Sequence, residues 1–453
     1  MQNRIRNITS LAERAVQLHQ SGKLDEAAAI YHDILTLHPH HAVVLHNLAL
    51  IFAARGDHCS AITHLDEALA TDPRYQPAHV HRADFLETLG NVDDAIQGFE
   101  QVCRMDPGHY GAHRALGFLW LRKKNNGKSL DHFARTYELR RGVDRIGLMD
   151  ESLTHATRDK LTHDCAQFRY LLNHGSDRLR FARLAQAYDG VARDFPESLT
   201  ELNDLQIELL GETYNTAAYR YDASEQSGNV LRNQPASSAN DIAFSPPKSG
   251  ALVIDDFLTQ AALESLKKYL LRSTIWHDFT HIQGYVASYL EDGLACPLLL
   301  QIADEIHCRY SEILGDHPLS QAWAFKGLQA GSCIGAHADD AVISVNFWLT
   351  PDKANLGSEG GLSICLEAPP PDWKLEDYSN DQRRSSEFMA RFEPNTLRVP
   401  YRENRAVMFH SRLLHKSDAP HFAAGYENNR INISLLYGRS GQNSCKPMII
   451  KEI

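Results

Sequence analysis

Residues 34 positions apart recur through the first third of this 453-residue chain, and that period constrains the fold more than any other feature. Gly22, Gly56 and Gly90 keep the period, as do Ala27, Ala61 and Ala95, and then Pro39, Pro73 and Pro107. Tyr31, Leu65 and Phe99 stand in register between them. A fixed period of this length marks a two-helix unit stacked on copies of itself. The Gly turns the chain between the two helices, the small Ala lets them approach, and the Pro ends the second. Units at about 8–41, 42–75 and 76–109 follow, with a fourth at about 110–141. In the fourth, Leu116-Gly117, Trp120 and Phe133 hold their places, but Ser129 replaces the Ala and Arg141 the Pro. A terminal unit departs from its siblings where one face must meet something else.

The Ala and the bulky residue four positions after it resemble the pattern of the tetratricopeptide repeat. That resemblance implies an N-terminal α-solenoid over 1–145, whose concave side takes a peptide or protein partner; a plain docking spacer is the other use. Residues 146–250 read as a helical connector and linker. Leu161, Phe168 and Leu171, then Leu179, Phe181, Leu184 and Tyr188, recur at three- and four-residue intervals, and Asn173-His174-Gly175 reads as a helix end. Residues 223–249, with Gln-Pro-Ala-Ser-Ser and Ser-Pro-Pro, read as irregular.

Charge narrows the partners. The net charge is −11, and residues 1–145 balance at 17 basic against 17 acidic, so the excess acid lies in 146–453. No basic stripe runs along the chain, which excludes nucleic acid as an expected partner. No apolar run approaches the ~20 residues of a membrane span, and the N-terminus lacks the apolar core of a signal peptide. Eight Cys are scattered without a C-x-x-C pair, which points to reduced thiols in a cytoplasmic protein. Of 24 His, 13 lie in 1–145, so only spacing, not number, can indicate a metal site.

The pattern changes at Ala251. Ala251-Leu-Val-Ile reads as a strand, Thr259 as the cap of a helix at about 260–272, and 295–313 as another helix. Beyond them, 322–330, 341–350, 361–367, 396–400, 405–410 and 430–437 read as strands rich in β-branched and aromatic residues. The expected whole is a multidomain α + β protein, with a C-terminal jelly roll, or double-stranded β-helix, and supporting helices over 251–453. His337 and Asp339 are two apart, so in extended chain both aim at one face. A third ligand must come from elsewhere, and His410, His415 and His421 compete for the place. Two imidazoles and one carboxylate leave positions open on an Fe(II), though zinc takes similar ligands. Arg430 offers a bidentate grip for a carboxylate. Asn432 and Ser434 share its face, while Asn346 and Trp348 stand on the strand after the His-x-Asp pair.

Residues 251–440 resemble the Fe(II)/2-oxoglutarate-dependent oxygenases, in their prolyl-hydroxylase-like branch. The resemblance is carried by Val253-Ile-Asp-Asp-Phe-Leu, Gly331, His337-x-Asp339, Gly360-Gly361, Phe409-x-Ser411 leading to His415, and Arg430. It implies that His337, Asp339 and His415 are the catalytic residues that hold Fe(II). It further implies that Arg430 binds the far carboxylate of 2-oxoglutarate, with Asn346, Asn432 and Ser434 completing the cofactor pocket. The family places a hydroxyl where Asn432 stands, so Ser434 is the alternative for that role. Dioxygen is the oxidant, ascorbate an accompanying reductant, and the retained Asp339 points to hydroxylation rather than halogenation. The implied substrate is a peptide or protein side chain brought by the repeats. The alternatives are an oxygenase of a small metabolite and a non-catalytic interaction protein. The polar insert at 368–395 reads as a lid or as decoration. Nothing in the chain fixes an oligomeric state.

Overall fold

The structure is a computed structural model and describes residues 2–142, 151–175, 177–232, 250–280, 284–328, 333–370, 373 and 381–439. The described residues form two compact units, one ending at Trp120 and the other beginning at Leu121. Gly331, Cys445, all of 233–249 and most of 371–380, which the sequence reading used, lie outside the described residues.

The first unit is helical throughout its described length. It contains α1 (Gln2–Gln20), α2 (Leu24–Leu37), α3 (Ala42–Ala54), α4 (His58–Thr71), α5 (Gln76–Thr88) and α6 (Val92–Met105), and most of α7 (Tyr110–Arg122). Gly22, Gly56 and Gly90 sit between paired helices with φ of 79°, 83° and 82°, a left-handed turn that glycine takes without steric cost. Ala27, Ala61 and Ala95 are wholly buried beside Tyr31, Leu65 and Phe99. Pro39, Pro73 and Pro107 each stand two residues beyond a helix end. An N-terminal α-solenoid is therefore what the repeat builds.

The second unit begins with α8 (Asn126–Arg141). Its last residue, Arg141, donates to both carboxylate oxygens of Asp292 at 2.9 and 2.8 Å, with both side chains buried. A short ladder of β1 (His155–Ala156) and β2 (Thr200–Glu201) ties the ends of α9 (Arg158–His174) and α10 (Arg178–Ala192), and α11 (Asp204–Leu210) follows. The described part of the expected linker, 223–232, is irregular but anchored: Val230 N–H donates to Glu305 at 2.6 Å, and Leu231 is buried.

Strands and helices then alternate. The elements are β3 (Ala251–Ile254), α12 (Gln260–Arg272), β4 (Tyr285–Tyr289), α13 (Pro297–Arg309), α14 (Ser311–Leu314), β5 (Leu319–Gly327), β6 (Ile343–Trp348), β7 (Leu362–Cys365), α15 (Gln382–Arg391), β8 (Thr396–Val399), β9 (Ala406–His410), β10 (His415–Ser417) and β11 (Ile431–Tyr437). They form an antiparallel six-stranded sheet, β3-β9-β6-β11-β5-β4, and an antiparallel three-stranded sheet, β10-β7-β8. Ala251, Trp348, Val407 and Phe409 of the large sheet pack on Leu362, Ile364 and Val399 of the small one. On the helical side, Tyr437 donates to the Ala303 carbonyl of α13 at 2.8 Å.

This corrects the expected closed jelly roll. Both sheets are open, with β3 and β4 at the edges of one and β10 and β8 at the edges of the other. Strand propensity shows where strands form, but closure depends on pairing between distant strands, which a one-dimensional pattern does not carry.

Candidate metal and ligand site

His337, Asp339 and His415 come together although the chain runs 78 positions from the first to the last, which opens β10. The backbone does this. His337 N–H donates to the His415 carbonyl at 3.0 Å, and His415 N–H donates back to His337 at 2.9 Å. Asp339 N–H is held by the Ser411 carbonyl at 3.0 Å. His415 is in turn paired with Ile364 of β7. The His-x-Asp segment thus lies along the free side of β10, and both its ligand side chains point into one cavity.

The donor atoms lie within 4.8 Å of one another. His337 Nε2 stands 3.8 Å from one Asp339 oxygen, and His415 Nε2 stands 3.5 Å from the other. Each imidazole makes its second contact with a main-chain carbonyl: His337 Nδ1 with Gly335 at 2.8 Å, His415 Nδ1 with Leu413 at 3.0 Å. A carbonyl only accepts, so Nδ1 carries the proton and Nε2 presents its lone pair to the cluster. Ser344 donates to Asp339 at 2.6 Å and is itself 2.8 Å from Ser411 Oγ, which fixes the carboxylate plane. Burial, and then the neighbouring His337, push His415 down to about 4, so it stands neutral and able to ligate. Two neutral imidazoles and one carboxylate are a donor set that fits a divalent transition metal.

The cavity holds about 670 Å³. Its floor is the large sheet, where Asn432 lies opposite Phe325 and Trp348, and Ser434 opposite Trp323 and Asn346. Arg430, just before β11, is 3% exposed. Its Nε donates to the Gly360 carbonyl at 2.7 Å and its Nη1 to Asn432 at 3.0 Å. Burial lowers its proton affinity, against the opposing pull of Tyr285, Tyr401 and Asp418. No described carboxylate lies within ion-pair distance of it, and the Asn346 Oδ1 is buried without a partner. A buried cation held by neutral acceptors is the arrangement of an anion site.

His410 ends β9 opposite Ile343, and His421 is exposed; neither lines the cavity. Sequence reasoning missed Trp323, Phe325, Gln382 and Ser417 on the walls, and Ser344 behind Asp339. Ser344 was within reach, because alternation along β6 puts it on the face of Asn346 and Trp348. Gln382 comes from the insert, where no periodicity points to the cavity.

The chain matches the tetratricopeptide repeat family over residues 14–76 and 82–143. No curated protein matches it. Solved structures similar to it include MamA, at 20% identity over 29% of this chain and 77% of that one, with a TM-score of 0.28. MamA 41-end from Desulfovibrio magneticus RS-1 is 20% identical over 29% and 75%, with a TM-score of 0.28. An O-GlcNAc transferase mutant from Thermobaculum terrenum is 24% identical over 29% and 26%, with a TM-score of 0.27.

These findings correct the resemblance of 251–440 to the Fe(II)/2-oxoglutarate oxygenases. The family match falls on the repeats, and the second unit's sheets are open. The assignments that stood on that resemblance fall with it. They are the oxygenase family, the hydroxylase activity, and Fe(II), 2-oxoglutarate, dioxygen and ascorbate as its reagents. Repeats of the matched family are general protein-interaction modules. Among the described residues no helix is long and apolar enough to cross a membrane.

Proposed function

We propose that this is an interaction protein whose repeats dock a protein partner in the cytoplasm. The observation that carries the reading is the run of tetratricopeptide units matched over 14–76 and 82–143, built as stacked helix pairs. An extended peptide segment is the partner class such a surface takes. The cytoplasmic placement is supported by the seven described cysteines, all free. The test is site-specific photo-crosslinking of the full chain in its host, with the reactive group at exposed Thr88 of α5 or at exposed Leu356 of the second unit. A protein captured at Thr88 and displaced by its own peptide supports the reading. Capture at Leu356 alone overturns it.

A second, independent reading concerns the other unit. We propose that His337, Asp339 and His415 bind a divalent cation, and that Arg430, Asn432, Ser434 and Asn346 receive an anionic ligand beside it. The donor distances and the two carbonyl-fixed imidazoles support the first part; the buried Arg430, hydrogen-bonded to neutral acceptors, supports the second. Titration of the full chain with Co(II), followed by its visible absorption, tests it. The wild type binds one equivalent and His415→Ala binds none; equal binding by both sinks the proposal.

A further inference from the structure

One wall of the cation site comes from an element that supplies no ligand. Helix α15 lies in the insert between β7 and β8, and the Asp381 side chain caps it by accepting from Arg384 N–H. Its Met389 is buried in a cluster with Ala336, Ala338, Cys365 and Leu414, and Phe388, Phe392 and Trp373 pack alongside. Ala336 and Ala338 alternate with His337 and Asp339. One extended segment therefore shows its ligands to the cavity and its methyl groups to the helix. At the start of α15, Gln382 lines the cavity and rests on Gly335, so closely that a Cβ there would meet its amide at 3.0 Å. The carbonyl of that same Gly335 holds His337 Nδ1.

Resting on the cation reading above, we infer that α15 is the positioning element of the metal site, through Met389 at one end and Gln382 on Gly335 at the other. Backbone bonds to His415, Ser411 and Ser417 hold one edge of residues 334–339. Those bonds run along one edge only, and a tilt of the segment about its own axis would swing His337 and Asp339 together away from His415. The helix blocks that tilt. Groups behind a metal ligand commonly change affinity 10- to 100-fold when lost.

The experiment is Co(II) affinity of the full chain, measured by competition with a chelator, with circular dichroism of each variant. Gly335→Ala keeps every ligand and an ordinary backbone but displaces Gln382; it lowers affinity ~10-fold. Gln382→Ala removes the same support and lowers affinity by a similar factor, and combined with Gly335→Ala it adds little further, whereas two independent losses would multiply. Met389→Ala also lowers affinity ~10-fold. If Met389→Ala fails to fold, the Gly335 and Gln382 pair, at the helix's exposed end, decides alone. Wild type that binds and loses binding with His415→Ala, while Gly335→Ala stays within twofold, overturns the inference and leaves the cation reading standing. Wild type that does not bind Co(II) overturns both.

Discussion

The fourth repeat and its three predecessors use the same 34-residue frame for different ends, and the contrast explains why the frame decays where it does. In the first three units the period ends on Pro39, Pro73 and Pro107, each a stop two residues past a helix. In the fourth the equivalent residue is Arg141, still helical and paired with buried Asp292 in the second unit's own core. The Ala position likewise becomes Ser129, fully buried. Stacked units need only small residues and stops, since each packs on its neighbours. Helix α8 packs instead among non-repeating elements: Tyr137 donates to the Thr274 carbonyl at 2.9 Å, and Asn126 to Asp304 at 2.6 Å. Consensus is lost where the packing partner changes.

The sharpest break of this contrast is Arg141→Ala. It leaves Asp292 buried and without its bidentate partner. Burial alone would raise the carboxyl, and Arg141 is the first of the groups that hold it low instead. Removing one member of such a pair costs about 3–5 kcal/mol. Urea unfolding followed by a probe in the second unit is expected to shift by that amount, whereas Pro107→Ala shifts the repeats by less than ~1 kcal/mol. Equal effects would remove the distinction between the fourth unit and the rest.

Gly98→Ala probes packing inside the repeats. The new Cβ would sit 2.8 Å from the Ala83 Cβ, where α5 and α6 touch. Overpacking of this kind costs ~1–3 kcal/mol, partly offset by the better helix propensity of Ala. A net loss of about 1–2 kcal/mol, confined to the repeats, is expected in hydrogen exchange of α5 and α6; no loss would mean that the solenoid accommodates a wider spacing.

Acid provides the next test. His46 Nε2 lies 2.8 Å from His81 Nδ1, both buried. Burial, and then His81, push His46 down to about 3; burial pushes His81 to about 4. Their unfolded counterparts take protons near 6.5. Between about 6.5 and 4 the unfolded chain therefore binds more protons than the folded repeats, and stability falls as the pH falls. Asp84, raised to about 7 by burial and then Glu87, has the opposite slope over the same window. The clean readout is the difference from His46→Gln, which keeps Asp84. Between pH 7 and 4.5 the wild type loses on the order of 2 kcal/mol relative to this variant. Parallel profiles would show that the pair titrates normally.

What could be read from the sequence follows the same division. Gly22, Ala27 and Pro39 announce a unit because they recur at one spacing, and Ala27 packs with residues of its own and the next unit. The strands over 341–350, 405–410 and 430–437 were legible for a similar reason, as alternation and β-branching are local. Which strand pairs with which was not: β11 lies between β5 and β6, and β9 beside β3, so closure was expected and open sheets were found. His337 and Asp339 could be grouped through period-two geometry, but their meeting with His415 depends on a backbone bridge across 78 residues. Gln382 and Met389 left no signal at all, since an insert helix reveals its buried face only once its target is known.

The smallest effect tests the frame at its last repeat. Residue 124 continues the series Gly22, Gly56, Gly90, and it is Lys124 with φ of 56°. A side chain in that left-handed turn carries a strain of about 1 kcal/mol that glycine avoids. Lys124 also lies near Asp304 and lowers its carboxyl somewhat against the rise that burial causes, a contribution that solvent screens to well under ~1 kcal/mol. Glycine has the further drawback of a freer unfolded chain. The sum favours Lys124→Gly by a few tenths of a kcal/mol, on the order of 0.5. The second unit's thermal midpoint should rise by about 1 °C, given the usual ~2–4 °C per kcal/mol for 150–250 residues. A fall instead of a rise would mean that the charge near Asp304 outweighs the turn. The fourth unit would then have given up its glycine to serve the second unit, as it gave up its proline.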